Sequence, residues 1–92
     1  MNMKEVFAQV YGNVQGVFFR NFALEKAREL GVTGYAKNME DGTVEVVAQG
    51  EETKLKEFVS AISVGPEHGE VESINIQYGP IPEEKFSQFD IV

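Results

Sequence analysis

Apolar residues in this chain alternate between two spacings, and the order of those spacings leaves few folds open. From Lys4 to Tyr11 the period is two, with Val6, Ala8 and Val10 pointing one way and Phe7, Gln9 and Tyr11 the other, which is a strand signal. Gly12–Gly16 breaks that pattern. Phe19, Ala23, Ala27 and Leu30 then recur at helical spacing, Lys26 and Arg28 lie near the end of the stripe, and Gly31 stands where a helix stops. The spacing predicts a helix from about Phe19 to Leu30. Val32–Lys37 and Thr43–Gln49 read as two strands around the turn Met39-Glu40-Asp41-Gly42, with Asp-Gly supplying positive-φ positions. Gly50 ends the second of them. Leu55, Phe58, Val59 and Ile62 sit at i, i+3, i+4 and i+7, and Gly65-Pro66 stops that second helix. Val71–Tyr78 alternates again, with Ile74, Ile76 and Tyr78 on one face. Gly79–Pro82 is a turn, and Phe86–Ile91 can add a short last strand.

The order is β-α-β-β-α-β plus a short β. Two amphipathic helices and a mainly antiparallel sheet predict an α+β sandwich with both helices on one face, the ferredoxin-like split βαβ arrangement. With 92 residues, and no linker or repeat, one domain over 1–92 is expected. That architecture hosts enzymes, regulatory domains and RNA-binding modules alike, so function must be read from a site.

Composition removes several classes of function. A net charge of −7 argues against general binding to nucleic acid or to an anionic membrane surface. A small anionic substrate stays possible, because a local site can be positive on a negative protein. With no cysteine and a single histidine, His68, there is no thiolate nucleophile, disulfide, zinc-thiolate centre or multi-histidine metal site. No apolar run reaches transmembrane length and no signal-peptide h-region opens the chain, so the expected location is the cytoplasm.

Two places can carry chemistry. The first is the loop before helix one. Gly12 and Gly16 bracket Asn13-Val14-Gln15, a helix follows, and Arg20 is the only charged residue between Glu5 and Glu25. Successive backbone N–H groups and a helix N-terminus can converge on an anion, and a guanidinium matches two phosphate oxygens. The residues leave a plain turn with a solvated arginine equally open. No Gly-Lys-Ser/Thr ending or G-x-G-x-x-G spacing is present. The second place is Asn38, beside the Met39–Gly42 turn. Its amide can donate to and accept from a water at once, or it can simply open the turn. Lys37 can add positive charge, although a lone strand lysine is usually solvated. Glu51-Glu52 at the start of helix two suit its macrodipole, Glu83-Glu84 fall in a loop, and no carboxylate pair is placed for acid–base work.

These residues resemble a known family. Val10-Tyr11-Gly12-Asn13-Val14-Gln15-Gly16-Val17-Phe18-Phe19-Arg20 is similar to the first signature of the acylphosphatases, and Gly34-Tyr35-Ala36-Lys37-Asn38-Met39-Glu40-Asp41-Gly42-Thr43-Val44, continuing to Gly50, to the second. The resemblance covers nearly the whole chain and is firmest from Val10 to Gly50. It implies a ferredoxin-like fold and hydrolysis of acyl phosphates to a carboxylate and inorganic phosphate. It implies that Arg20 and the backbone amides of Gln15, Gly16, Val17, Phe18 and Phe19 bind the phosphoryl group, and that Asn38 positions the attacking water. It implies no metal, cofactor or covalent intermediate. Met39 and Asn13 depart from the usual pattern, where a small polar and a basic residue are frequent; neither is one of the two catalytic positions.

The chemistry is compatible with so short a list of groups. The leaving group of an acyl phosphate is a carboxylate with a pKa of about 4, so it departs at neutral pH without a general acid. Positioning and charge stabilisation of the phosphoryl group remain to be supplied. No aspartate lies near the loop to act as a nucleophile, since only Asp41 and Asp90 exist. A monomer acting on a small molecule is expected. Two rivals stand beside it: an acylphosphatase-like domain of a larger protein, such as a hydrogenase-maturation carbamoyltransferase, and a ferredoxin-like module for RNA or a regulatory ligand. Chain length favours the free-standing enzyme. The acidic balance opposes RNA, and Phe7 and Tyr11 are better placed to pack than to stack on bases.

Overall fold

The structure is a computed structural model that describes residues 2–16 and 18–92. Its elements follow the predicted order: β1 Met3–Asn13, α1 Phe19–Leu30, β2 Thr33–Asn38, β3 Val44–Glu51, α2 Glu52–Val64, β4 Glu70–Pro80 and β5 Phe89–Ile91. One five-stranded sheet runs in the order β4-β1-β3-β2-β5. All its neighbours are antiparallel except β2 and β5, which pair in parallel.

The period-two pattern sets which face is buried. Val6, Ala8 and Val10 of β1 pair with Ala48, Val46 and Val44 of β3, and Ala36 of β2 pairs with Val46. All seven are buried in one cluster with Phe19, Ala23 and Ala27 of α1 and Leu55, Phe58, Val59 and Ile62 of α2. Both helices therefore cover the same face, as the two stripes predicted. Removing Leu55, Phe58 or Ile62 wholly from water stabilises the fold by about 1.5–3 kcal/mol each. Small side chains on the sheet and on α1 let the helix approach closely. The α1 stripe ends at Gly31, whose left-handed φ of 71° closes the helix with an N–H donated to the Ala27 carbonyl.

Several boundaries differ from the sequence reading, each for a physical reason. β1 does not stop at Tyr11; it continues to Asn13 after a register shift between Tyr11 and Gly12, because β4 supplies partners as far as Glu70. Gly12 belongs to that pairing: a Cβ on it would lie 2.1 Å from the Glu70 carbonyl oxygen. β3 runs through Gly50 to Glu51, since β1 pairs with it to the end. In the β2–β3 turn only Gly42 has positive φ, at 91°. Asp41 serves differently, its carboxylate accepting from the Thr43 N–H at 3.0 Å and from the Thr43 hydroxyl at 2.6 Å. The last strand covers Phe89–Ile91 alone. Phe86 is drawn away from it: its N–H donates to Gln49 Oε1 at 3.1 Å and its ring stands edge-on to Tyr35 at 5.8 Å.

Buried Gln49 explains how the chain crosses from one sheet edge to the other. Its amide donates to Glu5 Oε2 at 2.9 Å and to the Glu84 carbonyl at 3.1 Å, so the segment between β4 and β5 is pinned to the open face of the sheet. The crossing delivers β5 to β2 in parallel, with Ile91 opposite Ala36 and the Val92 N–H donating to the Ala36 carbonyl at 3.0 Å. In this way the end of β5 arrives beside the start of α1 and the end of β2. No helix among the described residues is long and apolar enough to cross a membrane.

Candidate active site

α1 begins with its amides uncovered. Its N-cap residue, Phe18, has no side chain able to accept a hydrogen bond, and no acidic residue lies in the first turn. Among the described residues the first bond of the helix is donated by the Phe22 N–H to the Phe18 carbonyl at 2.9 Å. An α-helix leaves its leading N–H groups without intrahelical partners and with partial positive charge, which is the setting that binds anions. The contrast is α2, which carries Glu52 in its first turn and donates the Glu52 N–H to the Asn2 carbonyl at 2.8 Å.

In front of α1 lies a cavity of about 240 Å³. The loop and helix contribute Val14, Gly16, Phe18, Phe19, Arg20 and Asn21; β2 contributes Asn38 and β5 contributes Ile91. The structure thus brings Gly16, Phe18, Phe19, Arg20 and Asn38 to one cavity, although Arg20 and Asn38 are eighteen positions apart. Gly16 turns the loop with φ of 76° and has nothing within 4 Å of a built Cβ, so its need for glycine is conformational. Val17, expected among the phosphate-binding amides, lies outside the described residues.

Arg20 and Asn38 are held differently. Arg20 Nη1 donates to the backbone oxygen of Val92 at 3.1 Å. Asn38 is bound more loosely. Its Oδ1 is buried and has no hydrogen-bond partner among the described residues. A buried acceptor left without a donor costs about 1–3 kcal/mol. The turn's side-chain acceptor is Asp41, whose carboxyl is held below the ordinary carboxylate range chiefly by the Thr43 hydroxyl. Among the described residues, no three His, Asp or Glu side chains gather as a metal centre.

The Gln15 side chain has a role besides the backbone one expected of this residue. Its side chain turns back beneath the loop and donates both amide hydrogens, to the Met39 carbonyl and to the Thr43 carbonyl, each at 2.8 Å. These carbonyls flank the turn that follows Asn38, so Gln15 ties the loop to the strand pair bearing Asn38. Sequence reasoning counted Gln15 only for its backbone and missed Val14, Asn21 and Ile91. Asn21 could have been found as a polar residue in the first turn of a helix whose N-terminus was already suspected. Ile91 carried no local signal, because its place depends on the parallel pairing of β5 with β2.

With this geometry in hand, the likenesses to known proteins are consistent with one another. The sequence profile of the family described as Acylphosphatase matches residues 6–91. An acylphosphatase of Thermus thermophilus is 47% identical over 84% of this chain and 88% of its own. One from Pseudothermotoga lettingae is 39% identical over 98% of this chain and 99% of its own. The crystal structure of acylphosphatase from Bacillus subtilis superposes with a TM-score of 0.92 at 35% identity, covering 97% of this chain and 98% of that one. A profile match across both strand–loop–helix segments, identity at this level over nearly entire chains and a common backbone make this chain a member of the acylphosphatase family.

Proposed function

We propose that the protein hydrolyses the carboxyl–phosphate bond of acyl phosphates, releasing a carboxylate and inorganic phosphate. The observation that carries this reading is the meeting of Arg20 and Asn38, from different elements, in one cavity at the uncovered N-terminus of α1. Family membership supports the same activity.

In this mechanism Arg20 and the amides of Gln15–Phe19 hold the phosphoryl oxygens. A fork of guanidinium donors and a row of N–H dipoles suit charge spread over three oxygens. Asn38 accepts from and donates to a water, aiming its oxygen at phosphorus. A P–O bond forms from that water while the P–O bond to the carboxylate breaks in line. The leaving carboxylate takes the bonding electron pair and needs no proton at neutral pH. The water's proton passes to the phosphate product or to solvent. No side chain becomes covalently attached, and no metal is required to activate a leaving group this weakly basic. The proposed working form is a monomer acting on a small-molecule acyl phosphate in the cytoplasm.

Release of phosphate from benzoyl phosphate, measured with a chelator present, tests the activity. Chelator-resistant turnover is expected. Absence of turnover, or turnover restored only by added metal, contradicts it.

A further inference from the structure

Phe18 combines a left-handed backbone, which suits the amide row of the phosphate loop, with a ring that the core does not use. Its backbone lies at φ 60° and ψ 27°, and it is the only non-glycine residue with positive φ among the described residues. Bulky side chains rarely adopt that region. Its ring is 78% exposed, so no core contact offsets the strain. The ring nevertheless borders the cavity that holds Arg20 and Asn38. From the opposite side, at the end of β5, Ile91 borders the same cavity and is 36% exposed. Beside Arg20 and Asn38 the site therefore has two exposed apolar side chains, contributed by elements distant in sequence.

The charge around these side chains is as informative. Among the described residues Arg20 is the only charged one lining this cavity, and the proposed mechanism commits it to the phosphoryl group. The neighbouring charges, Lys37, Glu40 and Asp41, border a separate depression beyond Asn38 and sum to −1. The chain as a whole carries −7. An acyl group bearing its own carboxylate or phosphate finds no second counter-charge here.

We infer that Phe18 and Ile91 form an acyl subsite that selects acyl phosphates with uncharged, apolar acyl groups, aromatic ones foremost. This rests on the hydrolase reading above. The occupant follows from covalency: the acyl carbon is two bonds from phosphorus, so a phosphoryl group seated at Arg20 delivers its acyl group within the same cavity. An aromatic ring placed there gains contact with Phe18 and removes the exposed ring from water. The strained backbone at Phe18 presents that ring outward instead of into the core, a use of strain commonly found at ligand sites.

Three substrates separate the contributions. Benzoyl and acetyl phosphate differ by the ring; 4-carboxybenzoyl phosphate keeps the ring and adds a charge. Their kcat/KM values are compared in the wild type, Phe18→Asn and Ile91→Thr. Asparagine tolerates the left-handed region, so it removes the ring while keeping the loop conformation. The benzoyl-to-acetyl ratio is expected to fall about three- to tenfold in Phe18→Asn, the size of one aromatic contact. In Ile91→Thr it should fall about two- to fourfold, the size of one buried methyl group. The wild type should favour benzoyl over 4-carboxybenzoyl phosphate. Inhibition by inorganic phosphate, which has no acyl group, reports the cradle separately. A parallel fall for benzoyl and acetyl phosphate in both variants overturns the subsite. So does a wild type that treats benzoyl and 4-carboxybenzoyl phosphate alike, a comparison that needs no variant to fold. A wild type that hydrolyses none of the three overturns the hydrolase reading and the subsite with it.

Discussion

Replacing Gln15 by alanine cuts the strap between the two halves of the site, and its two consequences can be sized separately. The side chain contributes two part-buried hydrogen bonds of 2.8 Å. Neither acceptor is orphaned by the change: the Met39 carbonyl keeps the Gly42 N–H at 3.2 Å, and the Thr43 carbonyl keeps the Met39 N–H at 2.8 Å. The loss is therefore two net hydrogen bonds without a desolvation penalty, about 1–2 kcal/mol. For a domain of this size that lowers Tm by about 4–16 °C. Turnover should suffer more than stability implies. Freed from Gln15, the turn after Asn38 can drift relative to the phosphate loop, and a displacement near 1 Å costs up to about 100-fold in rate. The expected result is kcat for benzoyl phosphate down by about 10- to 100-fold, measured well below the new Tm. In an Asn38→Ala background the same change should cost little more kcat, because the group being positioned is gone. Gln15→Glu should be worse than alanine for stability, since a carboxylate then faces two carbonyl oxygens. Normal kcat in a destabilised Gln15→Ala protein, or full additivity with Asn38→Ala, would refute the reasoning and leave Gln15 a purely structural tie.

Other perturbations follow from single contacts. Arg20→Lys keeps the charge and loses the planar fork, so kcat/KM should fall by about 100-fold or more; activity within a few-fold of wild type would contradict a bidentate role. Gly34→Ala places a Cβ 1.8 Å from the Val47 carbonyl oxygen at φ 144°, and the nearest atoms it meets are all β3 backbone, which cannot swing aside as a side chain can. It should destabilise by about 3 kcal/mol or more, seen as a large drop in the urea midpoint. Tyr35 has its phenol pushed up to about 12, first by burial and then by donating to Glu45 Oε2 at 2.6 Å. Below pH 10 the group is protonated whether the chain is folded or unfolded, so its contribution is complete there. Stability is lost as pH rises from about 10 to 12, where only the folded state still holds the proton. Tyr35→Phe should remove most of that alkaline loss and leave the smaller part due to Tyr78, whose phenol is also raised by burial. Identical alkaline denaturation curves for the two proteins would refute this.

How much of the molecule could be read from its residues depended on whether partners were near in sequence. α1 matched from Phe19 to Leu30 because stripe and stop signal are both local: Phe19, Ala23 and Ala27 share a face, and only the left-handed backbone at Gly31 is needed to end it. α2 was equally legible from Leu55, Phe58, Val59 and Ile62. Strand ends were not, since they depend on what pairs. Gly12 reads as part of an anion loop until Glu70 is placed across from it, when close backbone approach becomes the reason for glycine. The site divides in the same way. Asn38 alone reads as a turn opener; in the structure Asp41 is a side-chain acceptor of that turn, and Asn38 Oδ1 has no partner among the described residues. Arg20 reads as a solvated helix residue until Val92 is brought to it by β5. Gln15 was singled out for its backbone amide, and its side-chain bonds to the Met39 and Thr43 carbonyls carried no local signal.

The claim at the centre of this account is a division of labour, in which the α1 loop with Arg20 binds the phosphoryl group and Asn38 holds the water that attacks it. Asn38→Ala tests it most directly, with kcat for benzoyl phosphate and the inhibition constant of inorganic phosphate measured on the same folded sample. The account predicts kcat lower by about 100- to 1,000-fold, the usual cost of losing one preorganised polar group at a reacting centre, with phosphate inhibition close to that of the wild type. Weakened phosphate binding with kcat preserved would contradict it.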